Sequence, residues 1–196
     1  YSYGELQATL AHRCESIRRE IEQQKMLLDR LEQYRESLER AERHIHKCDI
    51  QNSPEMLRYL NRYNFIYDDS PDVQRLGKQW IKHIPYIRRC FDINIEEISR
   101  GGTDFAWGFY MEMEYARRLN VEAAPPVVHL PSQKSIHSVF KQPGKYNFSP
   151  KLLRYMLDYA RENGLEICGH ARGQLLCSVV EDGESTGYFE AWIPVK

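Results

Sequence analysis

Residues 141–169, KQPGKYNFSPKLLRYMLDYARENGLEICG, hold the pattern that decides the fold of this chain. The triplet Ser149-Pro150-Lys151 predicts a helix start, because serine is a preferred cap and proline is favoured in the first turn. Leucine and methionine then recur at helical spacing, and Asn163-Gly164 predicts the helix end. The stretch therefore predicts one amphipathic helix that packs on a neighbouring layer.

Alternating apolar segments flank this helix on both sides. We expect strands at residues 134–141, 172–181 and 188–195, with Asp182-Gly183 as the turn between the last two. The second half of the chain thus has the order strand, helix, strand, strand, which is a βαββ unit.

The same order is predicted for the preceding part of the chain. Residues 56–66 predict a strand, and Ser70-Pro71-Asp72 predicts a helix start. Further strands are expected near residues 95–100 and from Phe105 to Tyr115, with Gly101-Gly102 as the turn between them.

A near-constant offset connects the two halves. Pro71 and Pro150 lie 79 positions apart, and Trp107 and Tyr188 lie 81 positions apart. Self-similarity at a fixed spacing indicates a duplicated structural unit. We therefore predict an α+β domain of two βαββ repeats that form one curved antiparallel sheet, with both helices on one face, a groove on the other, and residues 120–133 as the crossover.

The N-terminal region has a different character, because residues 5–43 contain no proline and no glycine and are rich in charged residues. This composition predicts a long helix. Steps of four and three alternate along a heptad seam, which favours self-pairing as a coiled coil. We predict a homodimer through residues 5–43 and two domains, 1–45 and 46–196; the alternative is a solvated helix that packs on its own domain. The seam consists of Leu10, Cys14, Ile17, Ile21, Gln24, Leu28, Leu31, Arg35 and Leu38.

Overall composition excludes several classes of protein. The formal net charge of −1 argues against a nucleic-acid surface within these residues, because such surfaces concentrate positive charge. We find no apolar run long enough to cross a membrane. The five cysteines are odd in number and form no CxxC pair, so we expect a reducing cytoplasm rather than a disulfide framework.

The order of these elements resembles the C-terminal part of MerR-family transcription regulators that carry a GyrI-like effector-binding domain. The resemblance is carried by the seam from Leu10 to Leu38, the segment 141–169, and the closing YFEAWIPV at 188–195. It implies a homodimer through an antiparallel coiled coil and a cleft between the halves that binds a lipophilic, aromatic or cationic effector. It also implies promoter DNA binding by a winged helix-turn-helix domain, which we expect to precede Tyr1, and no cofactor.

Strand alternation gives a first candidate site on the last strand. Tyr188, Glu190 and Trp192 share one face, and the other face, with Phe189, Ala191 and Ile193, is expected to form the core. We therefore expect Glu190 to point into the groove between two aromatic side chains as the acidic ligand contact. The alternative is a solvated carboxylate paired with a lysine or arginine.

The repeat offset extends this candidate site to the first half. It matches Glu190 with Phe109 and Tyr188 with Trp107, so we expect these four side chains to face each other. Glu112 and Glu114 are further acidic candidates, and residues 171–174, where some drug-binding relatives place their acid, contain none. The remaining aromatic candidates for the groove are Phe105, Tyr110, Phe65, Tyr67 and Tyr146, with Tyr63 beside them.

Metal binding and catalysis find less support. His44, His46 and Cys48 would share one face of an extended segment, as metal ligands can, but a linker after the helix is the simpler interpretation. No nucleophile elbow, phosphate loop or HExxH sequence occurs, so we predict no metal and no enzyme. The alternatives are a small-molecule hydrolase using Glu190 with Tyr188 or Tyr110, a drug-sequestering protein with the same groove, and a scaffold whose helix recruits a partner.

Overall fold

The computed structural model describes residues 2–144, 147–181 and 183–196, without the side chain of Glu181. It divides into two compact units, Tyr1–Glu39 and Arg40–Lys196. No helix within the described residues is long and apolar enough to cross a membrane.

The first unit consists of most of helix α1, which spans Tyr3–His44. Its start is capped reciprocally: the backbone N–H of Glu5 donates to Ser2 Oγ (3.2 Å), and that of Ser2 donates to Glu5 Oε2 (2.5 Å). The predicted seam is exposed from Leu10 to Arg35 and half-buried at Leu38; Leu10, for example, keeps 57% of its surface and Leu28 keeps 56%. A long helix of low mean hydropathy with an exposed apolar stripe is typical of a coiled-coil partner.

The second unit is built on one antiparallel sheet. Its helices are α2 Pro71–Trp80, α3 Ile95–Arg100, α4 Met113–Arg118 and α5 Arg154–Glu162, with 3₁₀ turns at Ile81–His83 and Pro150–Leu153. Its strands are β1 Cys48–Asn52, β2 Met56–Tyr63, β3 Ile66–Tyr67, β4 Ile87–Ile93, β5 Ala106–Glu112, β6 Val128–Leu130, β7 Lys134–Pro143, β8 Ala171–Glu181 and β9 Glu184–Pro194.

The sheet confirms the predicted duplication. Its strand order is β1-β7-β9-β8-β4-β5-β2-β3, and β6 pairs with the first residues of β2, 56–58. Within it, β7-α5-β8-β9 and β2-α2-β4-β5 are two βαββ units whose strands are arranged in the same spatial order. They meet where β4 and β8 pair antiparallel, with Phe91 opposite Gly173. This α+β arrangement is consistent with the GyrI-like fold.

Two predicted strands of the first half differ from the structure, and the first of them is a helix. Residues 95–100 form helix α3, whose start is capped by Asn94 Oδ1 accepting from the backbone N–H of Glu96 (3.0 Å). Gly101 ends this helix with φ +69°. The strand of this half is β4, immediately before Asn94. The capping signals around α3 were present in the sequence, but the alternating apolar residues obscured them.

The strand expected from Phe105 to Tyr115 is also shorter than predicted. It ends at Glu112, and the chain continues as helix α4. Tyr115 therefore lies in α4, where its side chain is buried, rather than on the strand face that Trp107 shares. Glu114 lies on α4 and pairs with Arg118 at 3.4 Å, so Glu112 and Glu114 are not neighbours on one strand.

The main core lies between the sheet and its helices. Phe189, Ala191 and Ile193 of β9 are buried there against Met156 and Ala160 of α5, as the alternation predicts. Helix α2 covers the same face of the other half, since the Trp80 ring packs edge-on against the ring of Tyr59 of β2 at 4.9 Å between centroids. Both helices thus lie on one face of the sheet, which we call the helical face.

Candidate ligand-binding hollow

A cavity of about 380 Å³ opens on the helical face between the two βαββ units, and we call it the hollow. Its size falls within the range of small-molecule sites. The sequence-based prediction placed the groove on the opposite face of the sheet, and the structure corrects this. Residues of both halves line it: Arg62, Phe65, Arg89, Phe105, Trp107, Gln142, Gly144, Phe148, Leu175, Ser178, Ser185, Gly187 and Phe189.

Aromatic side chains form the wall of the hollow. The ring of Phe148 lies 4.6 Å from that of Trp107 and 5.2 Å from those of Phe105 and Phe189, centroid to centroid. Phe148 comes from the segment between β7 and α5, just before the predicted helix cap at Ser149. Flat rings in edge and tilted contacts give a rigid apolar surface on which a planar ligand can pack.

Two arginines supply the charge at the hollow. Arg89 of β4 holds its guanidinium 5.2 Å from the centroid of Trp107, and Arg62 of β2 holds its own 5.3 Å from that of Phe65. Arg62 also donates from Nε to the backbone oxygen of Asn64 (2.8 Å). Among the described residues that line the hollow there is no carboxylate, histidine or cysteine.

The opposite face of the sheet carries a polar network around Glu190. Glu190 Oε1 lies 2.9 Å from His137 Nε2, and Glu190 Oε2 accepts from the side-chain amide of Gln174 at 2.5 Å. His137 Nδ1 lies 2.8 Å from Asp49 Oδ1, so the imidazole bridges β1 and β9. The amide oxygen of Gln174 accepts from Tyr110 Oη and, at 3.1 Å, from Arg88.

The carboxylates around His137 favour its protonated form. Burial opposes protonation, but hydrogen bonding and attraction from Glu190 and Asp49 outweigh it, so the pKa of His137 is raised above 6.5. For Asp49, burial raises the pKa, but the hydrogen bonds from Gln51 and His137 bring it below 3.8. A protonated imidazole donates from both nitrogens, and the network is then fully paired.

The candidate residues from the sequence fall into separate places. Trp107, Phe105 and Phe65 line the hollow. Phe109 lies on the same face but stacks on Tyr59, 5.9 Å between centroids. Tyr67 in β3 lies under the guanidinium of Arg62 at 5.4 Å. Tyr146 lies outside the described residues. Glu190, Tyr188, Trp192 and Tyr110 lie on the opposite face, with Tyr188 beneath Lys141 Nζ at 4.7 Å and Trp192 beside the ring of His137 at 5.7 Å.

The expectation that Glu190 and Tyr188 face Phe109 and Trp107 is therefore wrong. Trp107 lies opposite Phe91 and Phe189 lies opposite Leu175, and the lining of the hollow places Trp107 and Phe189 on the same face of the sheet. The offset that keeps faces equivalent is one residue longer than the offset chosen from the sequence, and a shift of one residue exchanges the two faces of a strand. A ligand contact by Glu190 stays a prediction.

Several residues of both sites were missed by sequence reasoning. Phe189 was assigned to the core, Phe148 was not singled out, and Arg62 and Arg89 gave no signal beyond being charged residues on strands. His137 and Gln174 are polar side chains at buried strand positions. A polar residue within an otherwise apolar strand was the only sequence signal that pointed to this network.

The segment after α1 does not form a cluster of metal ligands. His44 Nδ1 lies 3.0 Å from the backbone oxygen of Arg40, and the ring of His46 packs against that of Tyr155 at 5.2 Å. Burial raises the pKa of the Cys48 thiol, which disfavours the thiolate that binds metals. Across residues 2–144, 147–181 and 183–196, no three His, Cys, Asp or Glu side chains are placed to hold a metal ion.

A second cavity, of about 480 Å³, lies beside α2. It is bounded by Leu76 and Trp80 on the helix and by residues 119–122 and 124–127 of the crossover. It belongs to one half only and has charges of both signs around it, such as Asp72 and Lys82. The hollow is the better candidate, because both repeats build it and its wall is aromatic.

No protein-family model and no curated protein matches this chain. Similar solved structures include the C-terminal domain of EcmrR, at 13% identity and a TM-score of 0.48, over 76% of this chain and 96% of that one. Another is a hydrolase encoded by lin2189 from Listeria innocua, at 11% identity and a TM-score of 0.39, over 78% of this chain and 93% of that one. At these identities neither structure indicates which ligand or reaction this chain handles.

Proposed function

We propose that this chain is the ligand-sensing and dimerising region of a MerR-type transcription regulator. The observation that carries the proposal is the aromatic-walled hollow between two matching βαββ units. A preformed apolar cavity with few polar groups at its edge is the usual form of a small-molecule site. The effector would be a lipophilic molecule with an aromatic body.

The exposed seam of α1 supports the dimerising part of the proposal. The leucines and isoleucines of the seam from Leu10 to Leu31 keep about half of their surface, with Ile17 at 40% and Leu31 at 49%. Pairing two such stripes would remove them from water, and an antiparallel coiled coil is the arrangement that the sequence resemblance implies. Promoter DNA would be bound by a winged helix-turn-helix domain preceding Tyr1, in the cytoplasm, where the free thiols of Cys14 and Cys90 would persist.

The alternative of a hydrolase receives less support than binding. Hydrolysis needs a general acid or base near the bound substrate, and the described lining residues offer no carboxylate or imidazole for this role. Glu190 and Tyr110 are bridged by Gln174 on the opposite face of the sheet. The lining fits a protein that holds a small molecule without converting it.

Calorimetric titration with naphthalene-2-carboxamide tests the binding site. We expect saturable binding, and we expect Ser185→Phe to abolish it, because the new ring would fill the hollow. Ser99→Phe, on the exposed surface of α3, is the matched control and should bind like the parent chain. Equal binding by the Ser185 variant would contradict the site, and an upstream gene sequence without a helix-turn-helix domain would contradict the regulator.

A further inference from the structure

We infer that the effector of the hollow is an anion: a flat apolar body that carries a carboxylate or a similar acid group. This inference rests on the proposed function, because it names the class of ligand for the same cavity. It departs from the cationic effectors that the sequence resemblance brings into consideration.

The first ground is the placement of Arg62 and Arg89. They lie on β2 and β4, the two strands that flank β5, so their guanidiniums stand on either side of Trp107. Arg62 faces the rings of Phe65 and Tyr67, and Arg89 faces the ring of Trp107. Two positive charges therefore border one aromatic wall.

The second ground is the absence of compensating charge. Within the described part of the chain, no carboxylate oxygen forms an ion pair with either guanidinium, whereas Arg58, on the opposite face, pairs with Asp92. A guanidinium that lies over an aromatic ring still has N–H groups at its own edge, in its own plane, and these can donate to a planar acid group in a bidentate manner. A ligand carboxylate would supply the missing partner.

The third ground is the nature of the other polar groups at the hollow. Ser178 and Ser185 bring hydroxyl groups from β8 and β9, and Gln142 brings an amide whose nitrogen already donates to the backbone oxygen of Gly144. Hydroxyl groups can donate to an anion, but none of these groups carries the negative charge that selects a cation. A cation would meet two like charges and no described counter-charge.

Three probes of equal shape test the inference: naphthalene-2-carboxylate, the neutral naphthalene-2-carboxamide, and the cation naphthalen-2-ylmethylammonium. Dissociation constants are measured by calorimetry at one fixed ionic strength. We expect the carboxylate to bind about tenfold or more tighter than the cation, with the amide between them. Tighter or equal binding of the cation would overturn the inference but leave the proposed site intact. Failure of all three probes to bind would overturn the proposed site itself.

Variants then assign the preference to the two arginines. We expect Arg62→Gln together with Arg89→Gln to remove the preference for the carboxylate, so that the carboxylate no longer binds more tightly than the amide or the cation. Arg161→Gln, on the exposed surface of α5, is the control and should keep the full preference. If the double variant bound the carboxylate as tightly as the parent chain, the arginines would not be the anion contacts. Loss of amide binding as well would show that the double substitution damages the hollow. The affinities of the single variants Arg62→Gln and Arg89→Gln for the carboxylate and the cation would then test the inference.

Discussion

The indole of Trp107 and the ring of Phe189 lie 6.0 Å apart, centroid to centroid, and come from the corresponding strands of the two βαββ units, β5 and β9. Each pairs with the inner strand of its own half, Trp107 opposite Phe91 and Phe189 opposite Leu175. The wall of the hollow is thus duplicated with the fold. A ligand seated there would touch both halves at once.

Trp107 should report ligand binding by its fluorescence. The other two tryptophans lie away from the hollow: Trp80 is the last residue of α2, and Trp192 lies on the opposite face of the sheet. We expect 4-nitrobenzamide, a contact quencher, to reduce the emission of a variant in which Trp80→Phe and Trp192→Phe leave Trp107 alone. The Trp107→Phe variant should show only the weak quenching of free collisions. Equal saturable quenching in both variants would place the ligand elsewhere.

Glu190 should act on stability rather than on ligands of the hollow. Its carboxylate accepts from His137 and Gln174 and keeps only 19% of its side-chain surface. Replacement by Gln removes charge-assisted bonds, so we expect Glu190→Gln to lower the free energy of unfolding by about 1.5–3 kcal/mol. Urea unfolding measures this change, with Glu162→Gln, at the exposed end of α5, as the control.

The same variant separates the two roles considered for Glu190. We expect its affinity for naphthalene-2-carboxamide to equal that of the parent chain, because Glu190 and the hollow lie on opposite faces. A loss of affinity without a loss of stability would instead support the direct ligand contact predicted from the sequence.

The sequence predicted the duplication because apolar periodicity and turn residues are local signals. Ser70-Pro71 marked the start of α2, and Ser149-Pro150 marked the start of the 3₁₀ turn that leads into α5, without any knowledge of contacts and without a side-chain cap hydrogen bond at either serine. The turn predicted at Asp182-Gly183 falls partly outside the described residues. The long helix followed from composition alone. These features depend on residues that are neighbours in the chain.

The site was harder to predict because it depends on register. Whether Glu190 or Phe189 points into the hollow depends on a shift of one residue between the halves. In addition, the register between β8 and β9 shifts between Leu175 and Cys177, as at a β-bulge, and such an extra residue cannot be recognised from the apolar alternation. The link between His137 and Asp49 joins residues 88 positions apart. No local pattern specifies either relationship.

Stability should depend on pH through His137. Its pKa is raised in the folded chain, so its stabilising contribution is complete below the ordinary value of 6.5 and is lost as pH rises through the raised value. We expect the free energy of unfolding to fall across that interval in the parent chain and to fall less in His137→Gln. Urea unfolding from about pH 5 to about pH 9 measures the difference.

The control for this pH series is His83→Gln, since His83 lies in the 3₁₀ turn after α2 and outside the network. It should reproduce the pH dependence of the parent chain. Parallel curves for His137→Gln and the parent chain would mean that the two carboxylates do not hold the proton on His137. Asp49 contributes with the opposite sign, because its lowered pKa makes its contribution disappear as pH falls through that value.

The seam of α1 should control the oligomeric state. We expect Leu28→Asp with Leu31→Asp to convert a dimer into a monomer, because each substitution would bury a charge in the middle of the paired stripe. Sedimentation equilibrium measures the mass. The matched control, Arg19→Asp with Gln23→Asp, introduces the same two carboxylates at exposed positions off the seam and should remain dimeric. A seam variant that stays dimeric would place the interface elsewhere.

Gly173 should be intolerant of any side chain, because it lies where the two halves pair. A Cβ atom there would come within 2.2 Å of the Phe91 ring and 2.3 Å of the backbone oxygen of Glu190. The backbone oxygen of Glu190 is held in the sheet, so the ring of Phe91 must move, and we expect Gly173→Ala to lower the free energy of unfolding by about 1–3 kcal/mol.

Gly77→Ala in α2 is the control for this substitution. Its Cβ would meet only Tyr59 Oη, at an ordinary 3.5 Å, and alanine in a helix should raise stability by up to about 1 kcal/mol. Because Phe91 packs against Phe148 at 5.0 Å, the Gly173 variant should also bind naphthalene-2-carboxamide more weakly, and an unchanged affinity would show that the hollow does not depend on this junction.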